Sequence, residues 1–254
     1  MTVGKSVRRI RRSVAQWLGA KPVSTDFEIL KGPYPVGMHA GWQNGDLPNR
    51  QWTAFAPILD QMRSGSYRKD FIALANAVRC TAMNNPTIIE VGCGSGWNSE
   101  VLKRLLSITP SYVGTDYSFG MVKLGQAHYS NVPFLVSDAV DLPFQDAACD
   151  ILLSGTSLMH IPEYQKAIAE SRRVSRHFAI FHTVTVHFHR DTTLLKKRAY
   201  GEWVPEIVFN EGHLIEIFAQ AGFALEKTFA SIPYDLVDVT GEHSVTKTYV
   251  CRAI

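Results

Sequence analysis

One short segment constrains the fold of this 254-residue chain more than any other, because an apolar stretch runs directly into closely spaced glycines. It reads I-I-E-V-G-C-G-S-G over residues 88–96, and a helical pattern begins at Trp97. Glycine permits positive φ angles and close approach of another molecule, and the first turn of a helix leaves backbone N–H groups unpaired. The segment therefore predicts a strand, a tight turn and a helix, and it leaves open whether the turn binds a ligand.

The spacing of these glycines argues against a dinucleotide site. Such sites use G-x-G-x-x-G, in which the third glycine allows close packing of helix on strand. Counted from Gly92 the third position falls on Trp97, and counted from Gly94 it falls on Ser99. The acid near the end of the strand, Glu90, instead favours a ligand with a cationic centre over a pyrophosphate.

Downstream of residue 87 the hydrophobic pattern alternates between strands and helices. Strands are predicted at 87–91, 111–115, 132–136, 149–154, 177–186, 223–231 and 246–252, with helices at 97–107, 118–129, 163–175 and 210–221. This alternation predicts an α/β fold, with a doubly wound, mostly parallel seven-stranded sheet covered by helices on both faces. Helices predicted at 51–63 and 67–83 form an N-terminal helical extension.

Two further acids follow predicted strands. Asp116 comes directly after the strand at 111–115, and Asp138 follows the strand at 132–136. The first could accept hydrogen bonds from two ribose hydroxyls, and the second could accept one from an adenine amino group. A lone aspartate in such a place is usually a helix cap or turn residue. Together with Glu90, however, they end three successive strands beside a glycine turn, which favours a ligand site.

These segments together resemble the class I S-adenosylmethionine-dependent methyltransferases, especially those that act on small molecules. The similar runs are I-I-E-V-G-C-G-S-G at 88–96, V-G-T-D-Y-S at 113–118, S-D-A-V-D-L-P-F at 137–144, C-D-I-L-L-S-G-T-S-L-M-H-I at 149–161 and N-E-G-H-L-I-E-I-F-A-Q-A-G-F at 210–223. The resemblance implies a Rossmann-like fold and S-adenosylmethionine as cofactor.

The resemblance also implies which residues bind that cofactor. Glu90 and the three glycines of the turn would line its methionine end, and Asp116 would bind its ribose. Its adenine would lie against Tyr117, Met121, Asp138 and Ala139, and its sulfonium would lie near Ser154 and Thr156. In chain order the implied cofactor-binding residues are Glu90, Gly92, Cys93, Gly94, Gly96, Asp116, Tyr117, Met121, Asp138, Ala139, Ser154 and Thr156.

Histidines supply a candidate base but no metal site. His160 follows the fourth predicted strand, and an imidazole that titrates at about pH 6.5 could take a proton from an oxygen or nitrogen acceptor. A hydrogen-bonded structural histidine is the alternative. The other candidates, at positions 177, 182, 187 and 189, have no carboxylate at ligand spacing before Asp191, so no metal site is predicted.

The sequence predicts three parts, of which charge distinguishes the first. Residues 1–21 hold six Lys or Arg and no acid, which leaves 20 bases against 23 acids in the remainder. Apolar residues recur in this tail at helical spacing. Docking on the body or simple disorder, contact with a membrane surface through residues 1–20, and targeting all remain open. A cap segment spans 22–83 and the methyltransferase domain spans 84–254. An insertion at 187–209, with a short helix at 191–200, is predicted to act as a lid.

The expected activity is methyl transfer to an oxygen, nitrogen or carbon atom of a small-molecule acceptor, with a lipid-linked acceptor as one option. A nucleic-acid or protein methyltransferase and a non-catalytic partner protein are the alternatives. Base-flipping methyltransferases commonly carry an N-P-P-Y-like turn, whereas S-G-T-S stands at 154–157, so nucleic acid is not the expected partner. The four scattered cysteines and the lack of a long apolar run indicate a cytoplasmic protein, in which the tail could add peripheral membrane contact.

Overall fold

The computed structural model of the protein describes residues 12–13 and 24–254. Its N-terminal part comprises β1 (Arg12–Ser13), β2 (Ser24–Thr25), β3 (Phe27–Ile29), a 3-10 helix (Met38–Gln43), α1 (Leu47–Arg63) and α2 (Lys69–Cys80). The amphipathic tail predicted at 1–21 therefore lies almost entirely outside the described residues. Its two described residues form a short antiparallel pair with β2.

The remainder of the chain alternates between strands and helices, as predicted. The strands are β4 (Thr87–Val91), β5 (Ser111–Asp116), β6 (Phe134–Val136), β7 (Cys149–Gly155), β8 (Ser175–His187), β9 (Thr193–Ala199), β10 (Glu202–Asn210), β11 (Phe223–Ala230) and β12 (Val245–Ala253). The helices are α3 (Trp97–Leu105), α4 (Phe119–His128), α5 (Tyr164–Val174), α6 (Glu211–Gln220) and α7 (Val237–Thr240).

The central sheet has the predicted doubly wound topology. Strands β6, β5, β4, β7 and β8 are parallel neighbours in that order. The edge beyond β8 is antiparallel, because β12 pairs with β8 and β11 pairs with β12. All seven predicted strands are present, which confirms the α/β fold class.

In the described part of the chain the sheet has ten strands rather than seven. The last two residues of β10 pair in parallel with the end of β8, and β9 pairs antiparallel with β10 over seven residue pairs. Strand β3 then pairs with β9. This extension continues the sheet past the carboxyl end of β8.

The helix predicted at 191–200 is wrong, since strand β9 occupies Thr193–Ala199. Its Leu, Lys and Arg residues favour helix, but β10 opposite carries the β-branched and aromatic run W-V-P-E-I-V-F. Burial of Leu195 against that strand outweighs the local preference.

The two N-terminal helices, α1 and α2, pack on one face of the sheet. In α2 the apolar residues Phe71, Leu74, Ala75 and Val78 recur at helical spacing and are buried in one core cluster with residues of β4 and β7. Each large side chain buried in this way contributes roughly 1.5–3 kcal/mol to stability. Helices α5 and α6 contribute to clusters on the other side.

Among the described residues, none of the helices combines the length and the apolar character that crossing a bilayer requires.

Candidate ligand-binding site

A cavity of about 620 Å³ opens where the parallel strands of the sheet end. One part of its lining, here called the loop side, follows β4, β5, β6 and β7 and consists of Gly92, Gly94, Asp116, Tyr117, Met121, Asp138, Ala139 and Thr156. The other part, here called the cap side, includes Trp42, Gln51, Arg68, Asp70, His160, His182, Lys197, Tyr200, Glu206 and Tyr234. A cavity of this size is typical of small-molecule sites, which lie at the carboxyl ends of strands in open α/β sheets.

The glycine turn brings the backbone to the cavity wall. Gly92, Gly94 and Gly96 all have positive φ, at 65°, 56° and 82°. A Cβ atom at Gly92 would overlap the side chain of Ser157, whose hydroxyl donates to the carbonyl of Val91 at 2.8 Å. The first glycine therefore lets the segment after β7 pack directly on the turn.

Asp116 joins the turn to the next strand. Its carboxylate accepts the backbone N–H groups of Gly94 and Ser118, both at 2.8 Å, one on each oxygen. Desolvation raises the pKa of Asp116 to about 6, while these two hydrogen bonds oppose the shift. Since each carboxylate oxygen has two lone pairs, each retains one for a further donor in the cavity.

Glu90 lies behind the cavity wall and does not line it. The carboxyl group is fully buried, where it accepts from Nδ2 of Asn98 at 2.6 Å and from the hydroxyl of Tyr112. Burial raises the pKa of Glu90 to about 8. Gly155 is needed beside it, because a Cβ there would overlap the carboxyl group. Glu90 therefore positions Asn98, which itself lines the cavity.

Three other predicted residues also lie away from the lining. Cys93 is buried against Val122 and Phe134, and Gly96 packs on that same phenylalanine ring. The hydroxyl of Ser154 is buried and hydrogen-bonds that of Ser157 at 2.9 Å. The remaining eight predicted cofactor residues form the loop side. The ligand contacts of all twelve stay predictions.

His160, the predicted base, lines the cavity with a defined tautomer. Its Nδ1 lies 2.8 Å from the carbonyl of Pro205, which can only accept, so Nδ1 carries the proton and Nε2 is left as an acceptor. Burial lowers the pKa of His160 to about 4, although the carboxylate of Glu206 at 3.3 Å opposes this shift. The imidazole is therefore neutral near pH 7.

The sequence does not reveal two partly buried ion pairs on the cap side. Nε of Arg68 donates to Asp70 at 2.7 Å, and Nζ of Lys197 donates to Glu206 at 3.0 Å. Glu206 is only 1% exposed. A single acid inside the apolar run at 203–209 was the available signal, since an acid there needs a buried partner.

A histidine on β8 completes the polar part of the cap side. Nδ1 of His182 lies 2.9 Å from the hydroxyl of Thr248, and Nε2 lies 3.1 Å from that of Thr183. Burial lowers the pKa of His182 to about 4. Its carbonyl accepts the N–H of Thr156, which connects this wall to the loop side.

Three of the six non-glycine residues with positive φ in the described part of the chain line the cavity. Thr156, Thr183 and Tyr200 line it with φ angles of 60°, 56° and 50°. Positive φ is costly for non-glycine residues, especially for β-branched threonine, and it persists where surrounding contacts hold it in place. Strain of this kind clusters at functional sites.

Residues 89–182 match the methyltransferase domain family. Among curated proteins, the demethylmenaquinone methyltransferase of Staphylococcus aureus is 26% identical over 161 aligned residues, which cover 53% of this chain and 66% of the relative. The match thus spans slightly less than two thirds of that relative's length.

Two solved structures have a similar fold. The 1,6-didemethyltoxoflavin-N1-methyltransferase of Burkholderia thailandensis, determined with bound 1,6-didemethyltoxoflavin and S-adenosylhomocysteine, is 14% identical at a TM-score of 0.61. The match covers 91% of this chain and 96% of that one. The magnesium protoporphyrin IX methyltransferase of Synechocystis, with bound S-adenosylmethionine, is 13% identical at a TM-score of 0.60 and covers 88% and 100%.

Proposed function

Since the chain carries a methyltransferase domain of the class I S-adenosylmethionine-dependent type, we propose that it methylates a small molecule held on the cap side. The domain match agrees with the resemblance in the sequence motifs, and the cofactor of this family is S-adenosylmethionine. Two of the relatives are named for small molecules, demethylmenaquinone and 1,6-didemethyltoxoflavin.

The loop side supports binding of the cofactor. The two free lone pairs on the carboxylate of Asp116 suit the two hydroxyls of a ribose, and the carboxylate of Asp138 suits an adenine amino group. A Cβ at Gly94 would lie 3.4 Å from Oε1 of Gln51. Gln51 on helix α1 therefore reaches the glycine turn, where it would cover the methionine end of the cofactor.

The cap side supports binding of the acceptor. When bound, the cofactor supplies a methyl group activated by a sulfonium charge. The remaining task of the protein is to hold the acceptor in line with that methyl at a separation of roughly 3–3.5 Å and to exclude water. Strands β9 and β10 border the cavity through Lys197 and Glu206, and the turn between them borders it through Tyr200, but a lid motion of these strands remains a prediction.

We assign to His160 the role of accepting a proton from the O–H or N–H group that is to be methylated. Its Nε2 is the unprotonated nitrogen, because Nδ1 is fixed by the carbonyl of Pro205. Its low pKa keeps Nε2 available at neutral pH. The positive charge gained with the proton would lie close to the carboxylate of Glu206. A substrate that is methylated at a carbon atom would depend less on the imidazole of His160 as a base.

One observation carries the proposal: the glycine turn, Asp116 and the cap side all line a single cavity. Isothermal titration calorimetry with S-adenosylhomocysteine tests it. We expect one site per chain with micromolar affinity or better, whereas no heat at millimolar ligand would refute cofactor binding. A screen of small-molecule acceptors for S-adenosylhomocysteine release then tests turnover.

The option of a lipid-linked acceptor depends on the basic tail at 1–21. Anionic head groups would attract its six Lys or Arg residues, each worth about 1 kcal/mol near a charged surface. Cosedimentation with vesicles of phosphatidylglycerol tests the idea. The full chain should sediment with them and a chain lacking residues 1–20 should not. Equal sedimentation of both would exclude the tail as a membrane contact.

A further inference from the structure

The cap side offers no free cation to an anionic acceptor. Arg68 and Lys197 are the only Arg or Lys that line the cavity in the described part of the chain. Each is already matched, the first by Asp70 and the second by Glu206. The positive charge of both side chains is therefore neutralised before any ligand binds.

The two buried histidines of the cap side do not add a positive charge, and His39, which also lines the cavity, lies against Tyr117 of the loop side at 5.3 Å between ring centroids. His160 and His182 both have a pKa lowered to about 4 by burial, so both are neutral near pH 7. At the rim, Asp235 and Glu163 add carboxylates, which are paired with His243 and Lys166. An anionic ligand would meet carboxylates and neutral rings, and would lose its hydration without gaining a counter-ion.

Two neighbouring rings carry a buried hydrogen-bond donor and an acceptor. The rings of Trp42 and His160 lie 4.9 Å apart between centroids. Nε1 of Trp42 is buried and has no hydrogen-bond partner within the described residues. Nε2 of His160 is an acceptor, since its Nδ1 donates to Pro205. A buried N–H that lacks a partner costs stability, and a ligand oxygen at this place would remove the cost.

We propose that the acceptor binds uncharged, as a flat aromatic compound whose hydroxyl group lies between Trp42 and His160. The hydroxyl donates to Nε2 of the imidazole and accepts from Nε1 of the indole. Aromatic side chains such as Phe27, Tyr200 and Tyr234 also line the cavity and suit a planar ring. The inference rests on the proposed function and names the class of acceptor for the same site.

A pair of probes tests the charge requirement on the intact protein. With S-adenosylhomocysteine at saturation, 2-naphthol and 2-naphthoate are titrated by calorimetry near neutral pH, where the first is neutral and the second anionic. We expect 2-naphthol to bind at least about tenfold more tightly, since a desolvated carboxylate without a counter-ion is disfavoured. Equal or tighter binding of 2-naphthoate overturns the inference, as does a lack of 2-naphthol binding to protein that binds S-adenosylhomocysteine.

A charge variant adds a second readout. Glu206→Gln leaves Lys197 unmatched, so the preference should move toward 2-naphthoate by about tenfold or more. The matched control is Glu28→Gln. It removes the carboxylate that lies 2.9 Å from Nζ of Lys196, the neighbour of Lys197 on β9, and neither Glu28 nor Lys196 lines the cavity. An unchanged preference in folded Glu206→Gln contradicts the inference. If that variant does not fold, the wild-type probe pair still decides the question.

The hydrogen bond to the indole has its own test. Trp42→Phe keeps a ring but removes the donor, so it should weaken 2-naphthol about five- to tenfold and leave naphthalene unaffected. Trp52→Phe is the control, because Trp52 stacks on His128 and does not line the cavity. Equal losses for both probes contradict the assignment. Failure of the wild type to bind S-adenosylhomocysteine refutes the proposed function itself, whereas normal binding of it with a reversed probe preference refutes only this inference.

Discussion

Replacement of Asp116 by asparagine should remove most of the affinity for the cofactor. The two carboxylate oxygens each accept one backbone N–H, from Gly94 and Ser118 at 2.8 Å, and each has one lone pair left for a ribose hydroxyl. In Asp116→Asn one oxygen becomes an NH₂ group that opposes a backbone donor and cannot accept from the ligand.

The magnitude follows from the bonds that are lost. A hydrogen bond to a charged group contributes roughly 1.5–3 kcal/mol, and the second ribose bond also weakens when the charge is removed. We therefore expect a loss of about 3 kcal/mol in binding, which corresponds to about a 150-fold higher Kd. The opposed backbone donor should also lower the free energy of unfolding by about 1–3 kcal/mol.

Calorimetry with S-adenosylhomocysteine measures the affinity, and thermal unfolding confirms that the variant is folded. Asp146→Asn is the matched control, because Asp146 is an exposed partner of Arg173 that does not line the cavity. It should bind S-adenosylhomocysteine like the wild type. A folded Asp116→Asn variant with wild-type affinity would refute the ribose assignment.

The pH dependence of the cofactor affinity tests the same role of Asp116 independently. Only ionised Asp116 can accept two ribose hydrogen bonds, and its pKa is raised to about 6. Wild-type affinity should therefore be constant above about pH 7 and fall below about pH 6, by up to tenfold per pH unit. Asp116→Asn should lack this acid limb. A wild-type affinity that stays constant down to about pH 5 would contradict the role of the carboxylate.

Three further predictions concern stability. Burial raises the pKa of Glu90 to about 8, so its neutral form contributes stability that is fully present below its unfolded value of about 4.3 and is lost as pH rises through 8. Glu90→Gln should therefore show a smaller fall in Tm between about pH 5 and pH 9 than the wild type, and equal falls would contradict the shift. Gly92→Ala should cost about 1–3 kcal/mol in urea unfolding because of its positive φ and the overlap with Ser157, whereas Gly32→Ala, with open space around it, should stay within about 0.5 kcal/mol; equal costs would contradict this. Leu74→Ala should cost about 2–5 kcal/mol in the same assay, and a cost below about 1 kcal/mol would contradict its place in the core.

The part of the fold that the sequence predicts correctly is the part in which local pattern and tertiary environment agree. The turn at 92–96 needs glycine where φ is positive, and the periodicity of Phe71, Leu74 and Val78 matches the buried face of α2. In β9 the two disagree, because the local propensity favours helix while the partner strand β10 imposes strand. That pairing is a tertiary fact which a local window does not contain.

The same distinction holds for the site. The location of Asp116 was predictable, because an acid that ends a parallel strand beside a glycine turn lies at the carboxyl ends of the strands, where ligands bind. The ion pair of Lys197 with Glu206 was not, since it depends on the register between β9 and β10. The direction of the Glu90 side chain was also not predictable, because a carboxyl group near the end of a strand can face either the ligand or the core. Its partner Asn98, eight residues later, decides for the core.

A crystal structure of the protein with S-adenosylhomocysteine tests the central claim most directly. The account predicts both ribose hydroxyls within hydrogen-bonding distance of Asp116, the methionine end along Gly92 and Gly94, and the sulfur open toward His160. A cofactor bound elsewhere, or a ribose that makes no contact with Asp116, would contradict it.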